Sequence, residues 1–248
     1  MLPKITTIIN YCTNDYKFLK ECIDGVVPIS REVIVPYCVK FFDGTDENHE
    51  LLEKSVKENP DASFIKFEFD STRNSRWHHN VARQIGMMCS DSGSDYFLFL
   101  DVDEIVEPVK FALWWKLQES KGFKDSYKIA NYWYFRERNI RAKQLEDSIA
   151  LVRRGPITEN LDNVFHNEER MGMYITVADI NKERMCTLHG TPFIHHYSWV
   201  RTKEEMLKKV RTWGHSHDRN WEDLVNKEFE ESFRGKDVIF GNREYDIL

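Results

Sequence analysis

Four short apolar runs separated by helical periodicity limit the first hundred residues to one kind of architecture. Ile5-Thr6-Thr7-Ile8-Ile9 is β-branched and ends at the polar Asn10 and the Thr13-Asn14-Asp15 turn. Phe18, Leu19, Cys22, Ile23 and Val26 then recur at helical spacing, closed by Gly25 and Pro28. Val33-Ile34-Val35 is a second strand candidate, and Asp43-Gly44-Thr45-Asp46 is a turn by residue type. Glu50 to Glu58 reads as a helix stopped by Asn59-Pro60, because the residue before a proline is pushed out of helical geometry. Phe64-Ile65-Lys66-Phe67, a helix from Trp77 to Met88 and the wholly apolar Tyr96-Phe97-Leu98-Phe99-Leu100 complete the series. Continuous apolar strands alternating with helices are buried on both faces, as in a parallel sheet between two helical layers. The expected class is therefore α/β, with a Rossmann-like, mostly parallel central sheet and helices on both sides.

The second half is less regular. Phe111 to Leu117 reads as helix, and Tyr127 to Phe135 as an aromatic-rich strand. Ser148 to Val152 and Thr191 to Tyr197 read as further strands. No periodicity stands out from Gly155 to Lys182. Thr202 and Glu205 make a capping box for a helix whose apolar face is Met206, Leu207, Val210 and Trp213. No linker, repeat or low-complexity stretch divides residues 1–248, so one domain is expected, with an α/β half over 1–104 and a more variable half over 105–248.

The chain has 248 residues, 41% of them hydrophobic, which excludes a disordered polymer. A chain of this length buries enough surface to fold without disulfide or metal staples. A net charge of −6 argues against a nucleic-acid partner, whose binders carry a basic surplus. Cys12, Cys22, Cys38, Cys89 and Cys186 are odd in number, form no C-x-x-C pair and read as small buried hydrophobes of a reducing, cytoplasmic compartment. The amino terminus is too short and broken for a signal peptide, and no apolar run is long enough for a transmembrane segment.

In open α/β sheets the ligand sits beyond the carboxyl ends of the strands. At such a place stands Asp101-Val102-Asp103-Glu104, directly after the apolar strand ending at Leu100. Residues alternate faces at a strand end, so Asp101 and Asp103 are expected to point one way while Val102 packs inward. Two hard carboxylates on one side suit Mg²⁺ or Mn²⁺ bridging phosphate oxygens. The plainer alternative is that the acids only cap a strand. An EF-hand is excluded, since Val106 stands where its loop needs glycine. Neither a G-x-G-x-x-G nor a G-x-x-x-x-G-K-[ST] motif occurs, so a nucleotide must be held through metal and side chains.

On these residues the sequence resembles the GT-A glycosyltransferases, nearest to the family 2 type of bacteria and viruses. The resemblance is carried by Ile5 to Asp15, Asp43-Gly44-Thr45, the helix around Ala82-Arg83-Gln84-Ile85-Gly86 and the D-x-D strand Tyr96 to Glu104. It continues through Phe193-Ile194-His195-His196-Tyr197 with Arg201 and on to Trp213-Gly214-His215, so that it spans roughly residues 4 to 217. It implies a nucleotide-sugar donor, uridine-linked, and a divalent metal, Mn²⁺ or Mg²⁺, bridging the diphosphate. The expected metal ligands are Asp103 first, Asp101 second and His196 third. Asp101 is alternatively a ribose or sugar contact. Arg201 is expected to neutralise diphosphate, and Asn10, Asp43 and Arg83 to lie near the nucleoside. Residues 1–104 become the nucleotide-sugar half, and 105–248 the acceptor side. The chain departs from the pattern after its second strand, where Pro36 to Phe42 intervene before the first acid, Asp43.

Hexosyl transfer to a glycan, lipid-linked or protein acceptor with inversion needs a carboxylate base beside the acceptor hydroxyl. Glu146, Asp147, Glu168, Glu169 and Asp179 qualify by type, with Asp147 preferred because a strand follows it. Tyr132-Trp133-Tyr134-Phe135 with Arg136, Arg138 and Arg141 is either an acceptor platform or ordinary core packing. His196 is either a metal ligand or a packed core histidine. His215 and His217 suit a helix carboxyl end, and His78 and His79 read as surface or packing residues. Zinc is disfavoured, because no ligand spacing recurs among Cys186 and the histidines. Two rival functions remain: a metal-dependent phosphoesterase or nucleotidyltransferase using the same acids, and a non-catalytic glycan- or nucleotide-binding module.

Overall fold

The computed structural model describes residues 1–158, 170, 179–213, 215–216 and 218–248, apart from the side chains of Arg76 and Asp179. Glu168, Glu169, Gly214 and His217 lie outside the described residues, as does the side chain of Asp179.

The apolar runs become strands β1 (Ile5–Asn10), β2 (Glu32–Tyr37), β3 (Ser63–Lys66) and β4 (Tyr96–Asp101), each joined to the next by a helix. The helices are α1 (Tyr16–Val26), α2 (His49–Glu58) and α3 (Ser75–Met88). Helices α2 and α3 start where Asn48 and Asn74 accept backbone N–H groups of Leu51 and Trp77, satisfying donors that a helix start leaves open. β1 pairs parallel with β2 and β4, and β2 with β3, as continuous apolar strands require. After β4 come β5 (Glu104–Val106), helix α4 (Pro108–Lys121) and strands β6 (Ser126–Phe135), β7 (Glu137–Ala142) and β8 (Glu146–Arg153). The rest comprises α5 (Arg154–Thr158), β9 (Lys182–Cys186), β10 (Ile194–Trp199), α6 (Lys203–Thr212), α7 (Trp221–Glu228) and β11 (Tyr245–Ile247).

The sheet is mixed and not mostly parallel. Its main path runs β11-β7-β6-β8-β4-β1-β2-β3, with β5, β9 and β10 branching from it. β8 lies antiparallel between β4 and β6, and β7 lies antiparallel to β6 and β11. The reason is local. β7 and β8 follow β6 through short connections, which allow hairpins but not the long crossover a parallel neighbour needs.

Two apolar clusters hold this sheet. The larger packs α1 and α4 against β1, β4 and β6 through residues such as Phe18, Leu98, Trp114 and Tyr127. The second packs α6 and α7 on the β6–β10–β11 side through Trp133, Trp199, Met206, Val225 and Tyr245. α6 begins with the expected capping box, Thr202 and Glu205 each accepting the other's backbone N–H. No helix among the described residues is long and apolar enough to cross a membrane.

Glycine sets the spacing of α1 over β5. A Cβ at Gly25 would stand 2.6 Å from the carbonyl oxygen of Val106, a backbone atom that cannot swing aside. Alanine in a helix interior gains about 0.8–1 kcal/mol over glycine, whereas overpacking a core costs roughly 1–3 kcal/mol. Gly25→Ala is therefore expected to be destabilising by about 1–2 kcal/mol. A lowered urea midpoint with an unchanged slope checks this, and a raised midpoint contradicts it.

Candidate active site

Strand register builds the site. β1 and β4 pair so that Asn10 stands beside Asp101 at their common carboxyl end. The chain turns through Val102 and Asp103 into β5, and β10 runs antiparallel to β5 with His196 opposite Glu104. β6 flanks β10 on its other side, placing Trp133 next to His196. Asn10, Asp101, Asp103, Trp133 and His196 thereby come to one cavity of about 320 Å³. The two aspartates meet there through a turn and not through strand alternation. Val102 is buried among the core side chains, as its apolar character demands.

Buried cations surround the acids. Arg83 Nη2 donates to Asp101 Oδ1 at 2.7 Å and Arg170 Nη2 to Oδ2 at 3.2 Å. Burial would raise this carboxyl, but the two guanidinium groups outweigh it and hold Asp101 at about 2. Around Asp103 Oδ2 stand Lys209 Nζ at 3.5 Å and Arg201 Nη2 at 3.6 Å, and His196 Nε2 lies 3.5 Å from Oδ1. Against its burial, Lys209, His196 and Arg201 hold Asp103 well below the usual carboxylate range. His196 shows the converse. Burial would lower it, yet Asp103, Glu146 and Glu104 raise it to about 10. Glu104 is fully buried and acts as a brace, accepting the Asp101 N–H at 2.8 Å, Arg170 Nη1 at 2.5 Å and the Ser148 hydroxyl at 3.1 Å.

The remaining sequence-derived candidates divide by position. Asn10 lines the cavity, with Nδ2 3.2 Å from His79 Nδ1. Arg83 is fully buried behind Asp101 and is not among the lining residues. Nor is Arg201, whose donors go to Asp15, to the Asn14 carbonyl at 3.1 Å and to the Ser198 carbonyl at 2.8 Å. Asp43 is exposed and closes its own turn, accepting from Thr45 N at 2.9 Å and Thr45 Oγ1 at 2.6 Å. Asp147 is bound bidentately by Arg184 at 2.8 and 3.1 Å and does not reach the cavity, whereas its neighbour Glu146 does. Adjacent residues of a strand face opposite sides, so β8 can present only one of the two. Glu146 accepts from Arg243 at 2.8 Å and lies 3.8 Å from His196 Nδ1. Trp133 lines the cavity and also belongs to the second core cluster, with the Arg243 guanidinium 3.8 Å from its ring centre. His195 faces the other way, toward Tyr134 and Glu107, as alternation requires.

Sequence reasoning missed Lys209, Arg170 and Glu47. Lys209 lies one residue before Val210 on α6, so the helical period that buried Val210 and Met206 could have placed it at the edge of that face. Arg170 carries no sequence signal. Glu47 lines the cavity near Tyr11, Cys38, Phe41 and Phe42. It accepts Thr13 N at 3.0 Å together with the Thr13 hydroxyl, and burial pushes its carboxyl up to about 7.

That shift makes stability depend on pH. A carboxyl whose folded value lies above its unfolded one favours the folded state when protonated, so stability falls as pH rises from about 4.5 to about 7 and stays reduced above it. A glutamine at this position would keep an acceptor for Thr13 without the buried charge. Glu47→Gln is expected to be stabilising by about 2 kcal/mol more at pH 8.5 than at pH 5, given 1.36 kcal/mol per unit. Equal midpoint shifts in urea at the two pH values would contradict it.

A hard divalent ion needs oxygen donors that the protein leaves available. Asp103 Oδ1 is buried, and among the described residues its nearest donor is His196 Nε2 at 3.5 Å. Among the described residues no group of three or more His, Cys, Asp or Glu side chains is arranged to hold a metal. Mg²⁺-like ions need no such cage, since they use one or two carboxylates plus substrate phosphates. Asp103 therefore fits as the principal oxygen ligand. Both Asp101 oxygens are engaged by arginines, and His196 carries a proton that ligation would have to displace.

No family model matches the sequence, and no curated protein does. Likeness appears among solved structures. A mannosyltransferase from Pyrobaculum calidifontis, solved in complex with GDP-Man and Mn²⁺, superposes with a TM-score of 0.52 at 10% identity. The match covers 94% of this chain and 66% of that one, so this chain spans about two thirds of the mannosyltransferase. A 4-diphosphocytidyl-2C-methyl-D-erythritol synthase from Anaerococcus prevotii gives a TM-score of 0.45 at 13% identity, over 83% of this chain and 96% of that one. The chain has an α/β fold with a mixed sheet and flanking helices, shared in outline with the mannosyltransferase structure. At these identities the likeness is one of fold and reaches no particular family.

Proposed function

We propose that this chain is a glycosyltransferase of the GT-A, family 2-like type. It moves a hexosyl group from a nucleotide-diphosphate sugar, uridine-linked, to a glycan, lipid or protein acceptor with inversion. The observation that carries this is Asp103, a buried carboxylate whose Oδ1 has no donor nearer than His196 Nε2 at 3.5 Å among the described residues, in a cavity that opens at the carboxyl ends of β1 and β4. The fold likeness to a mannosyltransferase supports it.

In this reading Asp103 would be the principal residue to hold Mn²⁺ or Mg²⁺, with Asp101 and His196 the further candidates next to it. The ion, when bound, supplies Lewis-acid stabilisation of the departing diphosphate. The chain's own part is electrostatic. Lys209 and Arg170 line the same cavity and offer fixed positive charge where negative charge grows as the glycosidic bond breaks. Glu104 and Arg83 hold Asp101 from behind, and Arg201 fixes the turn that carries Asp103. Tyr11, Phe41 and Phe42 form an apolar end suited to a nucleoside, with Asn10 near its ribose. Glu146 takes the acceptor-side carboxylate role that sequence preference gave to Asp147, because it is the one that lines the cavity. No contact to a donor is assigned to Asp43.

The test is product analysis. The protein is incubated with Mn²⁺ and a panel of uridine and guanosine nucleotide sugars, and separately with a simple phosphodiester. Release of nucleoside diphosphate with free or transferred sugar is expected. Hydrolysis of the phosphodiester with intact nucleotide sugars would favour the phosphoesterase chemistry.

A further inference from the structure

Helix α4 is apolar on more than its core side. Phe111, Trp114, Trp115 and Gln118 are its buried face. On the opposite side Val109 is 72% exposed, Leu113 52% and Leu117 38%. Exposed apolar side chains scattered singly are ordinary. These three stand four residues apart, so they align into one stripe about 12 Å long at a rise of 1.5 Å per residue. The turn Val27–Ile29 packs against α4 and leaves Val27 and Pro28 exposed as well. Lysines frame the stripe. At about 100° per residue, Lys116 projects roughly 60° to one side of Leu113, and Lys110 and Lys121 roughly 60–80° to the other. Glu119, the one acid of this helix, is turned about 120° away. Lys110 is paired with Glu107 at 2.8 Å, whereas Lys116 and Lys121 are exposed and form no ion pair among the described residues. The chain's net charge is −6, so this cationic frame is a local feature and not the overflow of a basic protein.

We propose that α4 docks on an anionic phospholipid bilayer and lies in the plane of its surface. An interfacial helix sinks an apolar stripe to the level where headgroups meet acyl chains. Flanking lysines lay their methylene stems along that boundary and keep their ammonium groups among the phosphates. Val109, Leu113 and Leu117 supply the stripe, and Lys116 and Lys121 the free charges on its two sides. The pattern selects this occupant over others. A nucleic acid would meet the lysines and leave the leucine side chains in water. A second copy meeting the same stripe about a two-fold axis would line both edges of the contact with lysines from both chains, and Glu119 is turned too far away to answer them. A lipid surface takes the leucines and neutralises the lysines together. Three apolar side chains and two free lysines give reversible attachment, not permanent insertion. This docking is independent of the chemistry in the cavity.

Flotation of the full chain with vesicles tests it, using phosphatidylcholine alone and phosphatidylcholine with roughly a third phosphatidylglycerol. Expected is binding to the anionic vesicles, weakened as salt is raised, and little or none to the neutral ones. Lys116→Glu exchanges an attractive charge for a repulsive one and should lower the partition by tenfold or more, at about fivefold per charge. Leu113→Glu should abolish it. Met88→Ser, at a side chain 80% exposed on α3 and outside the ridge, should bind as the wild type does. All three positions are at the surface, and unchanged thermal midpoints show that the variants fold. Failure of the wild type to float with anionic vesicles overturns the proposal, as does flotation of Leu113→Glu at the wild-type level. Light scattering completes the test: self-association that Leu113→Glu removes, without vesicle binding, would give the ridge to a second copy and overturn the lipid assignment.

Discussion

Asp103→Asn should leave the chain folded and reduce sugar transfer by about three orders of magnitude. The carboxylate is proposed as the principal metal ligand, and loss of a Lewis acid removes several kcal/mol of transition-state stabilisation. At 1.36 kcal/mol per factor of ten, that corresponds to a rate loss of about 10³ or more. The substitution keeps the size of the side chain and one oxygen, but it removes the charge that Lys209, Arg201 and His196 share. A lowered thermal midpoint is therefore expected alongside, because cations left without their buried partner are destabilising. The rate is to be measured at saturating donor, well below that midpoint. Wild-type turnover in folded Asp103→Asn would remove Asp103 from the chemistry.

The second large effect separates two neighbours. Glu146→Gln should lower the turnover number by about 10², the lower end of what general base assistance supplies, because against its burial His196 and Arg243 hold this carboxyl at about 2. Asp147→Asn should leave it within about threefold, the level of a partly exposed ion pair whose loss costs little. Glu146 lines the cavity beside His196, while Asp147 is engaged by Arg184 on the other face of β8. The donor's binding constant should stay near the wild-type value in both variants, since neither residue is assigned to the nucleotide. Equal losses in the two variants, or a larger one in Asp147→Asn, would contradict the placement.

The parts of the fold that could be read in the sequence are those where one physical signal dominates. β1, β2, β3 and β4 are short apolar runs bounded by turn residues, and each formed within a residue or two of its expected limits. The capping box fixed the start of α6 for the same reason. Antiparallel insertion of β8 between β4 and β6 was not legible, because a continuous apolar strand looks the same whichever way its neighbours run. Strands β5, β7 and β11 are short or carry charged exposed residues, such as Glu137 and Arg138 on β7, so no apolar period marks them. At the site, the acids after β4 were visible since carboxylates interrupt an apolar strand. Parity was not: alternation says that Glu146 and Asp147 face opposite sides, but not which faces inward. Lys209 and Arg170 reach Asp103 and Asp101 from far along the chain, and only tertiary packing brings them there. The insertion after β2 has its acid in the cavity at Glu47, while Asp43 is used by its own turn.

The most direct test of a metal-assisted nucleotide-sugar site is calorimetric titration of nucleotide sugars into the wild type and Asp103→Ala, each with Mn²⁺ and with chelator. Expected is one donor that binds the wild type only with metal and does not bind Asp103→Ala at all. Absence of donor binding throughout, or binding indifferent to both the metal and Asp103, would contradict it.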